Sequence, residues 1–239
     1  MITETIFARE FLSFWRIAAP TIEGFVRRLN GGVRERDYEP LNSMTHPNRR
    51  SFVNEVAFEV FCGEIMSLKR GGPRGGTREA IDIAVVAVRE ATINCHRDGD
   101  YQSELTSEER LDTLEQSRRL RQRLTSWGDP ASVRPKPEFP GCGIVDTCYG
   151  DVLIGETLFE IKAGDRLFRS IDVRQLLTYL ALNHASGKYL IRRAGLVNPR
   201  VGVSTELDID ELCYQVSGRD EGGLLWTISH GLSSAEISR

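Results

Sequence analysis

The chain has 239 residues, which is long enough for one sizeable hydrophobic core or for a core domain with a helical addition. Its 40% hydrophobic and 27% charged residues are ordinary for a soluble globular protein, and its net charge of −3 argues against a generally basic surface. Apolar runs stay below membrane-spanning length, no secretory signal pattern opens the chain, and the five cysteines lack C-x-x-C spacing. We therefore expect a cytoplasmic protein without a membrane partner, a disulfide framework or a zinc ribbon.

The N-terminal part predicts helices followed by a connection. Residues 4–30 carry aromatic side chains at helical spacing, which predicts one or two helices interrupted at Pro20 that act as a cap or an interface. Residues 31–48 contain turn-forming residues and little periodicity, which predicts a loop or linker. The chain thus divides into a helical extension with a linker over 1–47 and a main domain over 48–239.

The main domain begins with helical sequence. Residues 49–71 predict a long helix that ends at a glycine pair and carries Glu55 and Glu59 one turn apart. A helical insertion around 72–127 follows, and its second helix is rich in arginine. Charge runs of this kind usually form a solvated face, although contact with a nucleic acid duplex is an alternative.

The C-terminal part alternates strand and helix signals. A proline-rich connection leads to a predicted first strand over 142–150 that includes Asp146. Two β-branched and aromatic runs, DVLIG and TLFEIKA, are split by Gly155-Glu156 and predict an antiparallel hairpin. A helix over 170–184, two more strands and two short helices complete a mixed α/β arrangement.

The predicted hairpin brings together a set of charged residues. Asp151 opens its first strand, and Glu160 and Lys162 lie two residues apart in the second, so alternation places them on one face. Apolar neighbours on both sides indicate a buried strand, in which charges need a partner or a metal ion. Lys162 is also one of only four lysines among 31 basic residues. Two carboxylates and the Ile161 carbonyl are oxygen ligands that suit Mg²⁺ or Mn²⁺.

These motifs resemble a known family. G-D-V-L followed by F-E-I-K resembles the PD-(D/E)xK nuclease signature, with Gly150 in the proline position. The sequence QLLTY on the next helix, which holds Gln175 and Tyr179, resembles the Q-x-x-x-Y element of the RecB-like branch. The resemblance implies an α/β (α+β) fold with a restriction-endonuclease-like core, in which a mixed central sheet is flanked by helices. It also implies Mg²⁺- or Mn²⁺-dependent hydrolysis of phosphodiester bonds in DNA.

The resemblance assigns roles to residues. Asp151, Glu160 and the Ile161 carbonyl would bind the metal ion, Lys162 would orient the attacking water, and Gln175 and Tyr179 would position the site and the nucleic acid backbone. Two assignments stay open at this point. Asp146 competes with Asp151 as the metal aspartate, and the helix before the sheet offers either Glu55, the first choice, or Glu59 as a further acidic ligand.

Substrate and partners are less closely defined by the sequence. Arg166, Arg169 and Arg174 lie between the lysine strand and the QLLTY helix and are candidates for binding phosphates. The function expected is that of a deoxyribonuclease in a restriction, repair or phage-defence system. The alternative is a catalytically silent or partner-dependent subunit that binds nucleic acid or scaffolds an assembly, as a homodimer or with an ATPase or recognition subunit.

Overall fold

A computed structural model describes residues 1–71, 78–92, 100–126 and 128–234. Within these ranges no helix is long and apolar enough to cross a membrane. The α-helices of the described chain are α1 Glu4–Glu10, α2 Leu12–Ala18, α3 Ile22–Arg28, α4 Arg50–Lys69, α5 Arg78–Thr92, α6 Ser107–Ser126, α7 Ser170–Ser186, α8 Ile209–Ser217 and α9 Glu221–Ser233. Its strands are β1 Glu35–Arg36, β2 Val133–Pro135, β3 Glu138–Phe139, β4 Cys148–Tyr149, β5 Val152–Ile154, β6 Thr157–Ile161, β7 Arg193–Asn198 and β8 Val203–Asp208.

The central element is a mixed six-stranded sheet with the order β1-β8-β7-β6-β5-β2. β6 and β7 are parallel and are connected through α7, whereas the other neighbouring strands are antiparallel. The strands β3 and β4 form a separate small sheet. This architecture confirms the predicted mixed α/β, or α+β, class with helices around a mixed sheet.

The predicted hairpin forms, but with shorter strands, so that Asp151 and Lys162 lie directly outside β5 and β6. β5 and β6 pair with Val152 opposite Phe159 and Ile154 opposite Thr157, which leaves a two-residue connection. Gly155 in that connection has φ +54°, a conformation that glycine adopts without the steric cost of a side chain. The tight turn fixes the register, so Asp151 and Glu160 become neighbours one position beyond the Val152–Phe159 pair.

Helices cover both faces of the sheet. On one face, Leu158 of β6 and Leu196 of β7 share a core with α7, α8, α9 and the N-terminal helices. On the other face, Phe159 and Val197 pack with residues of α4 and α6. Adjacent residues of β6 therefore point to opposite helical layers, as strand alternation requires. α5 packs on the outer side of α4.

The N-terminal region differs from its prediction in two respects. It forms three helices, with Pro20 in the break between α2 and α3, and their aromatic side chains join the core of the α7 layer. The segment predicted as a linker instead adds β1 to the sheet edge beside β8. It continues by donating the Asp37 and Tyr38 amides to the Gly202 carbonyl, at 2.8 and 3.1 Å. One core thus extends across the predicted boundary at residue 47.

The predicted insertion is also part of the core. Leu120 and Leu124 of α6 pack with α4 and with Val133 and Ile154 of the sheet. Residues 72–77 and 93–99 of the predicted insertion lie outside the described residues. The arginines of α6 are expected to form a solvated face, but all five form ion pairs with acidic residues: Arg110 with Asp82, Arg118 and Arg119 with Glu115, Arg121 with Glu64, and Arg123 with Asp37.

The prediction of one strand over 142–150 is wrong. Cys142 and Val145 exchange backbone hydrogen bonds of 3.0 and 3.1 Å across a tight turn, and only Cys148–Tyr149 is a strand. Gly143 has φ +56°, and a Cβ atom there would lie 1.8 Å from the Leu232 carbonyl oxygen. The chain therefore turns where the pattern of apolar residues predicted extension.

The aromatic core of the N-terminal helices provides a stability test. Trp15 is fully buried, and its indole N–H donates to the Phe7 carbonyl at 3.1 Å, whereas Trp226 is 58% exposed. Trp15→Ala should lower the free energy of unfolding by about 3–5 kcal/mol, because it opens a cavity in the shared core. Trp226→Ala should cost less than about 1 kcal/mol. Urea denaturation of both variants measures these changes in the free energy of unfolding. Similar losses in the two variants would contradict a core that includes α2.

Candidate active site

A cleft of about 690 Å³ lies where α4 approaches the end of β6 and the start of β5. Its described lining includes Asp151, Glu160, Ile161 and Lys162 from the hairpin region. α4 contributes Glu55 and Glu59, and Lys136 lies in the lining just beyond β2. The cleft therefore collects four carboxylates and two ammonium groups, and no arginine is among its described lining residues.

The two carboxylates of the hairpin are held differently. Asp151 precedes β5 directly, and its Oδ2 accepts a hydrogen bond of 2.6 Å from the Ile161 amide. Glu160 is only 3% exposed, and its Oε1 accepts from the Lys162 Nζ at 2.6 Å. The other oxygen, Glu160 Oε2, is buried and has no hydrogen-bond partner among the described residues. An unpartnered buried carboxylate oxygen is costly, unless a proton shared with Asp151 or a bound cation satisfies it.

Burial shapes the protonation of this cluster. Burial raises the pKa of Glu160, and the negative charge of Asp151 raises it further. Burial also raises the pKa of Asp151, although the positive charge of Lys162 opposes that effect. Burial alone would lower the pKa of Lys162, but the charges of Glu160 and Asp151 outweigh it and raise that pKa. Lys162 thus stays charged, while the two carboxylates compete to remain ionised.

Gln175 and Tyr179 join this cluster from α7. Lys162 Nζ donates to Gln175 Oε1 at 2.7 Å, and Gln175 Nε2 donates to the Tyr179 hydroxyl at 3.1 Å. One turn of α7 separates the two residues, which places both on the side of the helix that faces the lysine. The five residues predicted from the sequence pattern therefore form one neighbourhood.

Glu4 of α1 belongs to the same network and was missed at the level of sequence. Its Oε1 accepts from the Tyr179 hydroxyl at 3.3 Å and from Gln175 Nε2 at 3.4 Å. Thr5 adds a hydroxyl within 3.3 Å of Gln175 Nε2. A glutamate in the first turn of a helix is normally interpreted as support for the helix dipole, so no local signal indicated this contact.

Both acidic candidates on α4 line the cleft, and each has a partner. The Tyr101 hydroxyl donates to Glu55 Oε1 at 3.1 Å, and Glu59 forms an ion pair with Lys136. Neither contact selects one of them as a further metal ligand. Lys136, a second residue that the sequence interpretation missed, lies within the proline-rich connection, directly after β2.

Asp146 and Asp151 are in different surroundings. Asp146 is exposed, lies outside the described cleft lining, and donates its amide to the Ile2 carbonyl at 3.0 Å. Asp151 lines the cleft beside Glu160. Gly150 before it donates its amide to the Pro137 carbonyl at 2.9 Å, a hydrogen bond that a proline could not make. This contact excludes proline, and a Cβ atom at Gly150 would lie 2.9 Å from the Phe139 ring, which favours glycine.

The three candidate phosphate-binding arginines have different roles. Arg166 donates to both oxygens of Asp172, at 2.6 and 2.8 Å. Arg174 forms an ion pair with Glu23 at 3.3 Å, and burial lowers its pKa. Arg169 is exposed, and its backbone amide donates to Asp172 at the start of α7. Two of the three guanidinium groups are thus engaged within the protein, and none of the three residues is in the described cleft lining.

The oxygen atoms at the hairpin form a small set of possible ligands for a divalent cation. In residues 1–71, 78–92, 100–126 and 128–234, no group of three or more His, Cys, Asp or Glu side chains could hold a metal ion. Asp151 and Glu160 with the Ile161 carbonyl provide two carboxylates and one further oxygen. Mg²⁺ is commonly bound by one or two carboxylates and keeps several waters, so these residues suit Mg²⁺ or Mn²⁺. The unpartnered Glu160 Oε2 supports this fit.

Comparisons of the chain with protein-family models, with curated proteins and with solved structures give no match. The interpretation of the cleft therefore depends on its geometry and on the pattern of its residues.

The raised pKa of the Glu160 carboxyl predicts how the free energy of unfolding depends on pH when EDTA removes divalent cations. Above the ordinary glutamate pKa of 4.5, the native state retains a proton that the unfolded chain has released, so the free energy of unfolding falls as pH rises. Glu160→Gln removes that group and should be the more stable protein at pH 8 by more than about 1 kcal/mol, since a tenfold change in proton affinity corresponds to about 1.4 kcal/mol.

The measurement is urea denaturation at pH 5 and pH 8. Wild type and Glu160→Gln should have similar stability at pH 5 and diverge at pH 8. Glu138→Gln, which changes a carboxylate outside the described cleft lining, serves as the control and should follow wild type. Parallel pH profiles for wild type and Glu160→Gln would contradict a buried, strained carboxylate pair.

Proposed function

We propose that the protein is a metal-dependent nuclease of the PD-(D/E)xK type, which hydrolyses phosphodiester bonds in DNA. One observation carries the proposal. Asp151, Glu160, Lys162, Gln175 and Tyr179 follow the order and spacing of a nuclease signature, and the last four are linked by hydrogen bonds of 2.6–3.1 Å beside one cleft. A solvated Glu-x-Lys pair on an edge strand would need no such partners, and β6 is an interior strand of the sheet.

Asp151, Glu160 and the Ile161 carbonyl would hold Mg²⁺ or Mn²⁺. Such an ion, when bound, lowers the pKa of a coordinated water and neutralises charge that develops on the phosphate. The Asp151 contact with the Ile161 amide orients this carboxylate toward β6. Glu55, or Glu59 if it leaves Lys136, would add an acidic group from α4.

Lys162 is suited to orient a water or a phosphate oxygen rather than to accept a proton. Its ammonium has three donors, of which Glu160 and Gln175 take two. The remaining donor is available to a reacting oxygen, and the neighbouring carboxylates keep the group charged. A fixed positive charge beside a developing negative charge lowers the barrier, because it needs no reorganisation during the reaction.

Gln175 and Glu4 would act as positioning residues. The side-chain oxygen of Gln175 accepts from Lys162, and its nitrogen donates to Glu4 and Tyr179. A flip of the amide group would therefore break the hydrogen bonds of both the oxygen and the nitrogen. Glu4 thereby connects the N-terminal helix to the orientation of the lysine. Such outer partners affect a site through the residues that they hold.

A second candidate is a nuclease subunit that depends on a partner for DNA binding. The net charge of −3 and the ion pairs of Arg166 and Arg174 leave little cationic surface near the cleft among the described residues. Affinity for DNA depends largely on cations that contact phosphates. A homodimer, or an ATPase or recognition subunit in a restriction, repair or defence system, would supply the missing contacts.

The nuclease proposal predicts metal-dependent cleavage. Purified protein should cut labelled DNA in Mg²⁺ or Mn²⁺ but not in EDTA, within a panel of duplex, single-stranded and branched DNA and RNA. Asp151→Asn and Lys162→Ala should each reduce the cleavage rate by about 10²–10³-fold or more, because each removes a charge needed at the reacting phosphate. Gel analysis of product formation provides the measurement.

Lys188→Ala is the matched control for Lys162→Ala. Lys188 pairs with Glu138 outside the described cleft lining and should be dispensable for cleavage. Metal-dependent cutting retained in Asp151→Asn or Lys162→Ala would overturn the assigned site. Absence of cutting by wild type across the panel would instead favour the silent or partner-dependent candidate.

The positioning role of Glu4 predicts a selective kinetic effect. Glu4→Ala should lower kcat about tenfold or more and leave KM nearly unchanged, since Lys162 loses the support of Gln175. Glu4→Gln retains an acceptor oxygen and should keep most of the activity. Glu10→Ala at the other end of α1 controls for loss of helix stability. Equal loss of activity in Glu4→Ala and Glu10→Ala would indicate a general effect of α1.

A further inference from the structure

The two lysines of the cleft are in unequal environments. Lys162 is 19% exposed and is held by Glu160 and Gln175. Lys136 is 48% exposed, and it forms an ion pair with Glu59 of α4. Exposed ion pairs of this kind contribute little to stability, so a competing anion can replace Glu59 at modest cost. Lys136 is therefore the more accessible of the two cations in the described lining.

The strand register aligns Lys136 with the two carboxylates. Pro135 is opposite Val152 and Val152 is opposite Phe159, so the next row across the sheet contains Lys136, Asp151 and Glu160. The Lys136 amide donates to the Asp151 carbonyl at 2.8 Å, which extends the ladder to this row. Neighbouring strands are about 4.8 Å apart, so the backbone of Lys136 lies two spacings, about 10 Å, from that of Glu160.

Lys136 has an unusual backbone conformation. Its φ of +50° makes it the sole residue other than glycine with a positive φ in the described chain. A lysine is disfavoured there because its Cβ crowds the backbone, and glycine would be free of that strain. Strained residues of this kind cluster at functional sites, and here the strain lies next to Asp151.

We propose that Lys136 binds a phosphate of the substrate strand other than the one that reacts, and that Glu59 occupies this position until the strand displaces it. The proposal rests on the nuclease function proposed above and adds a second phosphate position to it. The reacting phosphate belongs beside Asp151, Glu160 and Lys162. Lys136 is one strand further from Glu160 than Asp151 is, so its partner is a neighbouring phosphate, and the substrate is a polynucleotide rather than a single phosphodiester.

Displacement of Glu59 has an electrostatic consequence. The cleft contains two more carboxylates than ammonium groups, so Lys136 in the free protein is neutralised by Glu59 and offers little attraction to DNA. Removing the Glu59 charge should therefore strengthen binding, and it should do so only while Lys136 is present. This dependence distinguishes competition for one lysine from a general effect of negative charge.

Binding is tested in the Asp151→Asn background with a fluorescein-labelled single-stranded oligonucleotide in Mg²⁺, followed by anisotropy over a range of salt concentrations. Adding Lys136→Ala should weaken binding about fivefold or more and reduce the salt slope by about 0.7, as expected for one lost phosphate contact on a single strand. Adding Glu59→Gln should tighten binding. Combining both changes should give the affinity of Lys136→Ala alone.

Control variants separate charge from backbone strain. Lys136→Arg should retain affinity, and Lys136→Gly, which relieves the strain but removes the cation, should weaken binding as Lys136→Ala does. The ion pair of Lys188 with Glu138 provides matched controls, so Lys188→Ala and Glu138→Gln should leave both affinity and salt slope unchanged. Unchanged affinity in Lys136→Ala, or tighter binding by Glu59→Gln without Lys136, would overturn the proposal.

Cleavage by the otherwise unmodified enzyme provides the second readout. Lys136→Ala should lower kcat/KM for an oligonucleotide about fivefold or more and leave kcat/KM for bis(p-nitrophenyl) phosphate, a single phosphodiester, unchanged. Equal losses on both substrates would contradict a separate phosphate position. If wild type cleaves the oligonucleotide in a metal-dependent way and Lys136→Ala has the same kcat/KM, the phosphate position at Lys136 is overturned and the nuclease function is not. Binding without cleavage would overturn the nuclease activity of the isolated protein and favour the silent or partner-dependent candidate, and absence of both would overturn the two proposals together.

Discussion

Burial of two carboxylates beside one lysine is the constraint on which the rest of the structure depends. The two-residue connection between β5 and β6 sets a register in which Asp151 lies next to Glu160. Their mutual repulsion in a buried setting is offset by Lys162 and by the Ile161 amide, and Glu160 Oε2 has no hydrogen-bond partner in the part of the chain that the structure describes. Two helices complete this arrangement: Gln175 of α7 accepts a hydrogen bond from Lys162, and α4 lines the cleft that opens beside the cluster.

The N-terminal helices connect stability with the candidate site. Phe7 and Trp15 bury α1 and α2 in the core of the α7 layer, and this packing brings Glu4 to Gln175 and Tyr179. A loss of packing there would therefore act on the orientation of Lys162 as well as on the free energy of unfolding. The region that the sequence predicted to be an extension is thus a structural support for the candidate site.

Arginine and lysine have different uses in this protein. Arginines form buried or half-buried ion pairs between elements, such as Arg49 with Glu109 and Arg123 with Asp37, where a planar guanidinium can bridge several acceptors. The described cleft instead contains two of the four lysines. The described cleft lining therefore contains two ammonium groups and no guanidinium group, although the chain as a whole is rich in arginine.

The sequence by itself determined the local elements and the chemical set. Glycines and strand-forming residues predicted the β5–β6 hairpin, helical spacing predicted α4, α6 and α7, and two-residue alternation placed Glu160 with Lys162, because these patterns depend on near neighbours in the chain. Only the tertiary structure decided that Glu4 contacts Gln175, that Lys136 is aligned with Asp151 and pairs with Glu59, that residues 35–36 form an edge strand, and that the chain turns at Gly143. Each of these contacts joins residues far apart in sequence or depends on a distant element, and the energies that select them arise from packing and burial rather than from local propensity.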